Sequence, residues 1–320
     1  MNLKNIYPFS KIVIWGHKLG HPMMSNTFAF IHNEWVRAFK YLGYEVLWLD
    51  DSDNVSNIDF TNCLFFTEGQ VDNNIPIRKD CKYVLHNCLD LKEKYGSVLE
   101  NCLNLQVYLN DILDGRELEC IDKEQSSYLQ KNPDYSRINN GCDNRTIHQP
   151  WATNLLPNEF SSDNTISMKY PRTKKIYWVG SIMGGTERND DKISELATAA
   201  KKDGIQFIHA KVANEQAPRA IAESWVAPAL QSTFQVNRGY IPCRVFKNLS
   251  YGRMTPINSE TVNNLFPENQ LVYSADTTEM YRLGVEWEKN PNTLALKALV
   301  EKVREKHTFV NRIENILKVL

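Results

Sequence analysis

The sequence predicts an α/β fold built as two doubly wound domains, each formed around a parallel sheet. Short β-branched apolar runs that end at glycine alternate with amphipathic helical stretches, which is the pattern of successive βαβ units. The pattern stops at a polar, proline-containing stretch near the middle of the chain and then starts again. Because 320 residues also exceed the ~100–200 residues of one domain, we expect two domains.

The first half opens with a complete βαβ unit. The run Lys11 to Trp15 predicts a buried strand that ends at Gly16. Apolar residues then recur at helical spacing from Phe28 to Leu42, Gly43 supplies the C-cap, and the strand Glu45 to Leu49 follows. The remaining predicted elements are strands at Cys63 to Phe66, Tyr83 to His86 and Leu105 to Leu109, then loop and short helix over Asp111 to Asp143.

The polar stretch Pro157 to Thr173 is the predicted linker, which divides the chain into domains of residues 1–160 and 161–320. A second βαβ unit follows, with a strand at Lys175 to Val179, a helix at Asp191 to Lys202 and a strand at Gln206 to His209. The later predicted helices are Ala217 to Trp225, Pro242 to Tyr251, Glu260 to Leu265, Thr277 to Glu288 and Leu294 to Leu317, with strands at Met254 to Ile257 and Leu271 to Tyr273.

Charge and cysteine content exclude several classes of protein. Lys plus Arg (37) nearly balance Asp plus Glu (38), so no overall field favours nucleic acid or an anionic membrane as a partner. The N-terminal apolar run is too short for a signal peptide or a membrane span, which predicts a cytoplasmic protein of unknown oligomeric state. Seven cysteines without a Cys-x-x-Cys pair predict reduced thiols, and the histidines lie too far from them for a structural metal site.

Ligands of doubly wound sheets bind at the carboxyl ends of the strands, so the loops there hold the candidate catalytic groups. His17 and His21 lie in the loop after the first strand, where a neutral imidazole takes up the proton of an acceptor hydroxyl or contacts a bound sugar. Glu68 follows the strand Cys63 to Phe66 and is an alternative base, or a solvated loop carboxylate.

A phosphate site is predicted in the second half. The glycine-containing loops Gly16 to His21 and Gly180 to Gly185 match neither a dinucleotide nor a P-loop motif. If Pro242 opens a helix, Arg244 and Lys247 share one face near its positive end, which suits the charge of a departing diphosphate. The alternative is a solvated helix face. The full candidate set is Gly180, Ser181, Lys211, Asn237, Gly239, Tyr240, Arg244, Lys247, Asn258 and Ser259. For Asn258 and Ser259 the alternative is capping of the following helix.

The second half resembles the C-terminal half of GT-B glycosyltransferases, in particular the CgeB-like branch and the glycosyltransferase group 1-like domains. The glycine-rich loop at Gly180, the Arg/Lys helix that ends in Tyr251-Gly252 and the closing segment Lys306 to Arg312 carry this resemblance. In the first half, His86-Asn87 and Gln149 to Asn154 are similar to segments of these transferases. One departure is Lys247, since many retaining relatives carry a Glu on this helix that holds the donor ribose.

The resemblance implies two Rossmann-like domains facing across a cleft, the first on the acceptor side and the second binding the nucleotide sugar. It implies a hexosyl- or deoxyhexosyl-transferase that moves sugar from a nucleoside-diphosphate sugar to a glycan or other hydroxyl acceptor, with no metal and no further cofactor. The segment Asp50 to Asp53 is the one acidic run that resembles a metal or ribose site, or else a solvated loop. Two other functions remain open: a sugar-nucleotide epimerase of the same architecture, and a non-catalytic protein that binds glycans or nucleotides.

Overall fold

The computed structural model describes residues 3–19, 27–69, 71–86, 94–110, 136–138, 145–160, 172–182, 189–210, 216–266 and 271–320. The strands are β1 (Ile12–Trp15), β2 (Val46–Leu49), β3 (Leu64–Glu68), β4 (Lys82–His86), β5 (Cys102–Gln106), β6 (Ser136–Ile138), β7 (Arg145–His148), β8 (Lys175–Val179) and β9 (Gln206–Ala210). The helices are α1 (Leu3–Ile6), α2 (Thr27–Tyr41), α3 (Asp190–Lys202), α4 (Ala217–Glu223), α5 (Thr233–Asn237), α6 (Cys243–Ser250), α7 (Glu260–Leu265), α8 (Thr277–Lys289), α9 (Thr293–Lys306) and α10 (Phe309–Val319).

The chain divides into two compact units. The first comprises Met1–Val107, Ile112–Gln149 and Phe309–Leu320, and the second comprises Tyr108–Asp111 and Pro150–Thr308. Relative to the predicted division at residue 160, residues 150–160 lie with the second unit and α10 lies with the first. The roles predicted for the two domains stay predictions.

The first unit is built on a seven-stranded sheet in the order β2-β1-β3-β4-β5-β7-β6, in which only β6 runs antiparallel to its neighbour. From β1 the chain first forms β2 on one side and then β3 on the other. The strand order therefore reverses between β1 and β3, and a ligand crevice is expected at their carboxyl ends. On one face of the sheet, Trp35 of α2 packs against Phe66 and against Phe309 of α10.

The second unit continues β8 and β9 with irregular parallel segments. Trp225 N–H donates to the Lys175 carbonyl at 2.7 Å, which aligns the segment after α4 with β8. Ala229, Ile257 and Tyr273 then form successive parallel bridges. The predicted strands Met254 to Ile257 and Leu271 to Tyr273 are thus reduced to single bridges. These bridges are parallel, as expected for the sheet of a doubly wound domain.

Two other predicted elements differ from the structure, and the strand β7 is not among the predicted elements. The strand predicted at Leu105 to Leu109 is β5, which begins three residues earlier because the chain leaves the sheet at Val107 and Tyr108 forms a bridge with Tyr240. Within the stretch predicted as loop and short helix, β6 is an edge strand. The polar strand β7 occupies an inner position of the sheet that its composition does not reveal.

The last predicted helix is two helices. His307 ends α9 and is fully buried, with its ring stacked on Phe246 at 4.6 Å between ring centroids. Thr308 forms a bridge with Thr153, and its backbone change of direction separates α9 from α10. The His-Thr pair of the closing segment therefore serves the fold. Within the described ranges, no helix combines the length and the apolar character needed to cross a bilayer.

Candidate functional site

His17 and Glu68 meet at the point where the strand order of the first sheet reverses. His17 follows the end of β1, Glu68 is the last residue of β3, and His17 Nδ1 lies 2.6 Å from Glu68 Oε2. Both side chains are buried. Because a carboxylate only accepts hydrogen bonds, His17 Nδ1 is the donor of this bond, and in the neutral tautomer Nε2 is the acceptor nitrogen. This pair has the geometry of a general base whose imidazole is oriented and stabilised by a buried carboxylate.

A second histidine fixes the backbone of that pair. The Nδ1 of His32, on α2, lies 3.1 Å from the carbonyl oxygen of His17. Burial lowers the pKa of His32 to about 4, so the ring is neutral and donates this bond through its N–H. A Cβ at Gly16 would lie 2.2 Å from the His32 ring, which leaves glycine as the residue that permits the approach. Trp48 Nε1 also donates to the Gly16 carbonyl, at 3.2 Å.

His86 extends this group of side chains along the sheet edge. It is the last residue of β4 and is paired in register with Glu68. Burial, with a smaller contribution from nearby His32, lowers the pKa of His86 to about 3. The Glu68 carboxylate and His17 thus lie beside neutral rings, where a charge is less screened than in water.

The sequence predicts His17 and Glu68 as alternative bases, whereas the structure joins them in one hydrogen-bonded pair. No sequence pattern indicates His32, because its helical spacing on a largely buried helix gives no signal of contact with the loop after β1. His21 lies outside the described residues.

Arg244 lies at the carboxyl end of β8, in the second unit. Pro242 is the N-cap of α6, so the helix begins at Cys243, one residue later than predicted. The Arg244 guanidinium carbon lies 3.6 Å from the centre of the Trp178 ring. Gly180, with φ +129°, leaves the space for it, since a Cβ there would lie 2.6 Å from Arg244 Nη2. His209, at the end of β9, holds the same loop through a 2.8 Å contact between Nε2 and the Gly180 carbonyl.

The electrostatics of α6 favour an anion. Burial lowers the pKa of Arg244 to about 10, although nearby Cys243 and Tyr240 oppose that shift. Among the described residues, no carboxylate forms an ion pair with Arg244 or with Lys247, one helical turn further on. Both side chains are half-buried. A half-buried cation without a counter-charge is stabilised by a bound anion, which fits the predicted diphosphate site.

Asn237, Gly239 and Tyr240 hold the segment of residues 108–110. Asn110 Nδ2 donates to the Asn237 carbonyl at 2.8 Å, and Tyr240 bridges Tyr108. Gly239 has φ +66°, and a Cβ on it would lie 2.9 Å from Asn110 Oδ1. These contacts give Asn237 and Gly239 a structural role, whereas Tyr240 also lies near Arg244.

Asn258 and Ser259 are committed to the fold. The Asn258 carboxamide makes two 2.9 Å hydrogen bonds with the backbone of Gln231. Ser259 is fully buried and caps α7 by accepting from Val262 N–H. Ser259 therefore has the geometry of the capping alternative, and a ligand contact of Asn258 stays a prediction. Ser181 is exposed and its carbonyl accepts from Trp178 Nε1 at 3.3 Å, while Lys211 lies outside the described residues.

The acidic run after β2 also serves the fold. Asp51 accepts from the N–H groups of Asn74 and Asn73 and from the Trp15 indole. Burial alone would raise the pKa of Asp51, but these hydrogen bonds lower it overall. Asp53 pairs with Lys18. Over the described ranges, no three His, Cys, Asp or Glu side chains are grouped so as to hold a metal ion.

Comparison with known proteins identifies the fold. No protein-family model and no curated protein matches the sequence. Among solved structures, the T4 phage β-glucosyltransferase with its UDP-glucose substrate is 11% identical over 97% of this chain and 100% of that chain, with a TM-score of 0.50. A DNA-modifying β-glucosyltransferase, solved with and without UDP-glucose, is 12% identical over 97% of this chain and 100% of that chain, with a TM-score of 0.48. TarM from S. aureus with UDP is 12% identical over 81% of this chain and 55% of that chain, with a TM-score of 0.42. The chain has the GT-B fold of two Rossmann-like units, and no membership of the CgeB-like branch is shown.

Proposed function

We propose that this GT-B protein is a metal-independent glycosyltransferase that moves a sugar from a nucleoside-diphosphate sugar to a hydroxyl of a glycan or similar acceptor. The observation that carries the proposal is the state of Arg244. Its guanidinium is positively charged, half-buried and free of a carboxylate partner among the described residues, at the strand ends where an α/β unit binds ligands.

The second unit supplies the donor site in this proposal. The diphosphate binds at Arg244, with Lys247 adding charge from the next turn of α6. These cations act where negative charge develops as the bond between the sugar and the diphosphate breaks. Since side chains neutralise the leaving group, the proposal requires no metal ion.

The first unit supplies the base. The acceptor hydroxyl gives its proton to His17 Nε2 while its oxygen attacks the anomeric carbon, and the diphosphate leaves with the electron pair of the broken bond. Glu68, hydrogen-bonded to His17 Nδ1 at 2.6 Å, stabilises the imidazolium that forms. A correctly placed general base contributes ~10²–10⁴-fold to rate.

The acceptor proposed is a glycan or another hydroxyl compound rather than DNA. Binding to DNA depends on a field of Lys and Arg that releases counterions, and the net charge of this chain is −1. Glycans are recognised through hydrogen bonds and ring contacts, which require no such field.

A thermal-shift screen against UDP, GDP, CMP and dTDP sugars identifies the donor, because a ligand that binds only the folded state raises its melting temperature. Calorimetry then compares Arg244→Ala and Lys247→Ala with Lys297→Ala, an exposed cation on α9 of the same unit. We expect Arg244→Ala to weaken nucleoside-diphosphate binding by ~10–100-fold, from the loss of charge-assisted hydrogen bonds, with no change in Lys297→Ala. Unchanged affinity in both α6 variants would contradict the donor site.

The His17–Glu68 pair also fits the epimerase, which needs an acidic and a histidine group beside the bound sugar. The two functions differ in product. A transferase leaves the donor sugar unaltered until an acceptor is present, whereas an epimerase exchanges a sugar C–H with solvent without an acceptor. Incubation of the donor in D₂O followed by NMR separates them, and binding without either reaction indicates the non-catalytic alternative.

A further inference from the structure

We infer that Trp178 is a positioning residue of the donor site, which holds the Arg244 guanidinium by its aromatic face where a diphosphate binds. This inference rests on the proposed function. The stacking on Trp178 orients Arg244 before an anion binds, and no sequence motif indicates this contact.

The geometry of the contact is that of a stacked cation. The guanidinium carbon lies 3.6 Å from the Trp178 ring centre, well within the ~6 Å of a cation–π interaction, and Trp is the strongest aromatic partner. The ring itself cannot move away. Trp178 is 1% exposed in β8, and Nε1 donates to the Ser181 carbonyl at 3.3 Å.

An aromatic face holds Arg244 differently from a carboxylate. A carboxylate would neutralise the guanidinium and occupy its N–H groups, which are the groups that bind phosphate oxygens. The π face attracts the same cation through its quadrupole and leaves the five N–H donors in the plane free. Because arginine otherwise loses considerable side-chain freedom when a ligand orders it, stacking in advance lowers the entropic cost of binding.

Gly180 and His209 complete the support. Gly180 has no Cβ, so the guanidinium reaches over the loop after β8 without a clash. His209 contacts the Gly180 carbonyl at 2.8 Å and ties that loop to β9. The Arg244 donors are consequently presented at the carboxyl ends of both strands.

The test is a double-mutant cycle of Trp178→Leu and Arg244→Ala, with inorganic pyrophosphate as the ligand so that the unknown base plays no part. Calorimetry on each full-length variant gives its dissociation constant. We expect ~10-fold weaker binding in Trp178→Leu and ~2–3-fold weaker binding in Trp178→Phe, which keeps an aromatic face. In the Arg244→Ala background, Trp178→Leu should cause no further loss, because the ring then has no cation to hold.

The outcomes separate the two proposals. Weaker binding in Arg244→Ala with unchanged binding in Trp178→Leu overturns the role of Trp178 and leaves the donor site standing. Equal losses from Trp178→Leu in both backgrounds show a merely structural effect and also overturn it. Pyrophosphate binding that neither substitution changes, or none to the unsubstituted protein, overturns both proposals. If Trp178→Leu does not fold, Trp178→Phe carries the same cycle.

Discussion

Gly180→Ala should lower the affinity for a nucleoside diphosphate by more than its effect on the free energy of unfolding explains. The added Cβ would lie 2.6 Å from Arg244 Nη2, and ordinary non-bonded contact of ~3.5 Å requires a displacement of about 1 Å. Because Nη2 is the end of a flexible side chain, Arg244 can swing aside and the fold survives. The φ of +129° is strained for alanine and costs ~1–3 kcal/mol of stability.

The displaced guanidinium loses its contact with Trp178 and its direction toward the ligand. With about 1 kcal/mol from the cation–π contact and about 1 kcal/mol from a misaligned charged hydrogen bond, we expect ~30-fold weaker nucleoside-diphosphate binding. Gly204→Ala is the matched control. Gly204 lies in the same unit at φ +68°, and an added Cβ there would meet no atom within 4 Å, so alanine adds strain without a clash.

Calorimetry measures affinity, and urea unfolding measures stability in both variants. Gly204→Ala should lose ~1 kcal/mol of stability and keep its affinity. If Gly180→Ala binds the nucleoside diphosphate as tightly as the unsubstituted protein, Arg244 does not hold the diphosphate, and the reasoning fails.

Three further predictions concern the base, acid stability and metal ions. His17→Gln should lower kcat by ~10²–10⁴-fold while nucleoside-diphosphate affinity stays within ~2-fold, and kcat above a tenth of the original value would remove His17 as the base. Burial lowers the pKa of His32 from 6.5 to about 4 and that of His86 to about 3, so the unfolded chain binds protons first as pH falls. The free energy of unfolding should therefore be highest above pH ~6.5 and fall from there toward pH ~4, with up to ~3 kcal/mol from His32. Urea titrations at several pH values should show that the free energy of unfolding falls less steeply with decreasing pH in His32→Asn than in the unsubstituted protein. The same pH dependence in both proteins would refute this. Treatment with EDTA should leave turnover unchanged, and activity that EDTA abolishes and Mg²⁺ restores would contradict metal-independent transfer.

Local patterns were sufficient for most elements. The spacing of apolar residues along α2 and α3, and the serine that caps α7, lie within one or two turns of the chain, so their effects are visible in a short window. The same holds for Arg244 and Lys247, whose separation of three residues places them together on any helix.

Elements that depend on distant partners were not predictable in this way. The polar strand β7 is inside the sheet because β5 pairs with it, and that pairing is absent from its own composition. The bridges at Ile257 and Tyr273 are too short to form the predicted strands, since strand length depends on how long neighbouring segments remain aligned.

The sequence by itself determined that the chain alternates strands and helices, and that two cations share one helix face near its N-terminal end. Only the tertiary structure decided that Glu68 accepts a hydrogen bond from His17 and that the Arg244 guanidinium stacks on the Trp178 ring. The physical reason is the order of strands. Residues at the carboxyl ends of neighbouring parallel strands meet whatever their separation along the chain, and that order is set by the packing of the whole sheet.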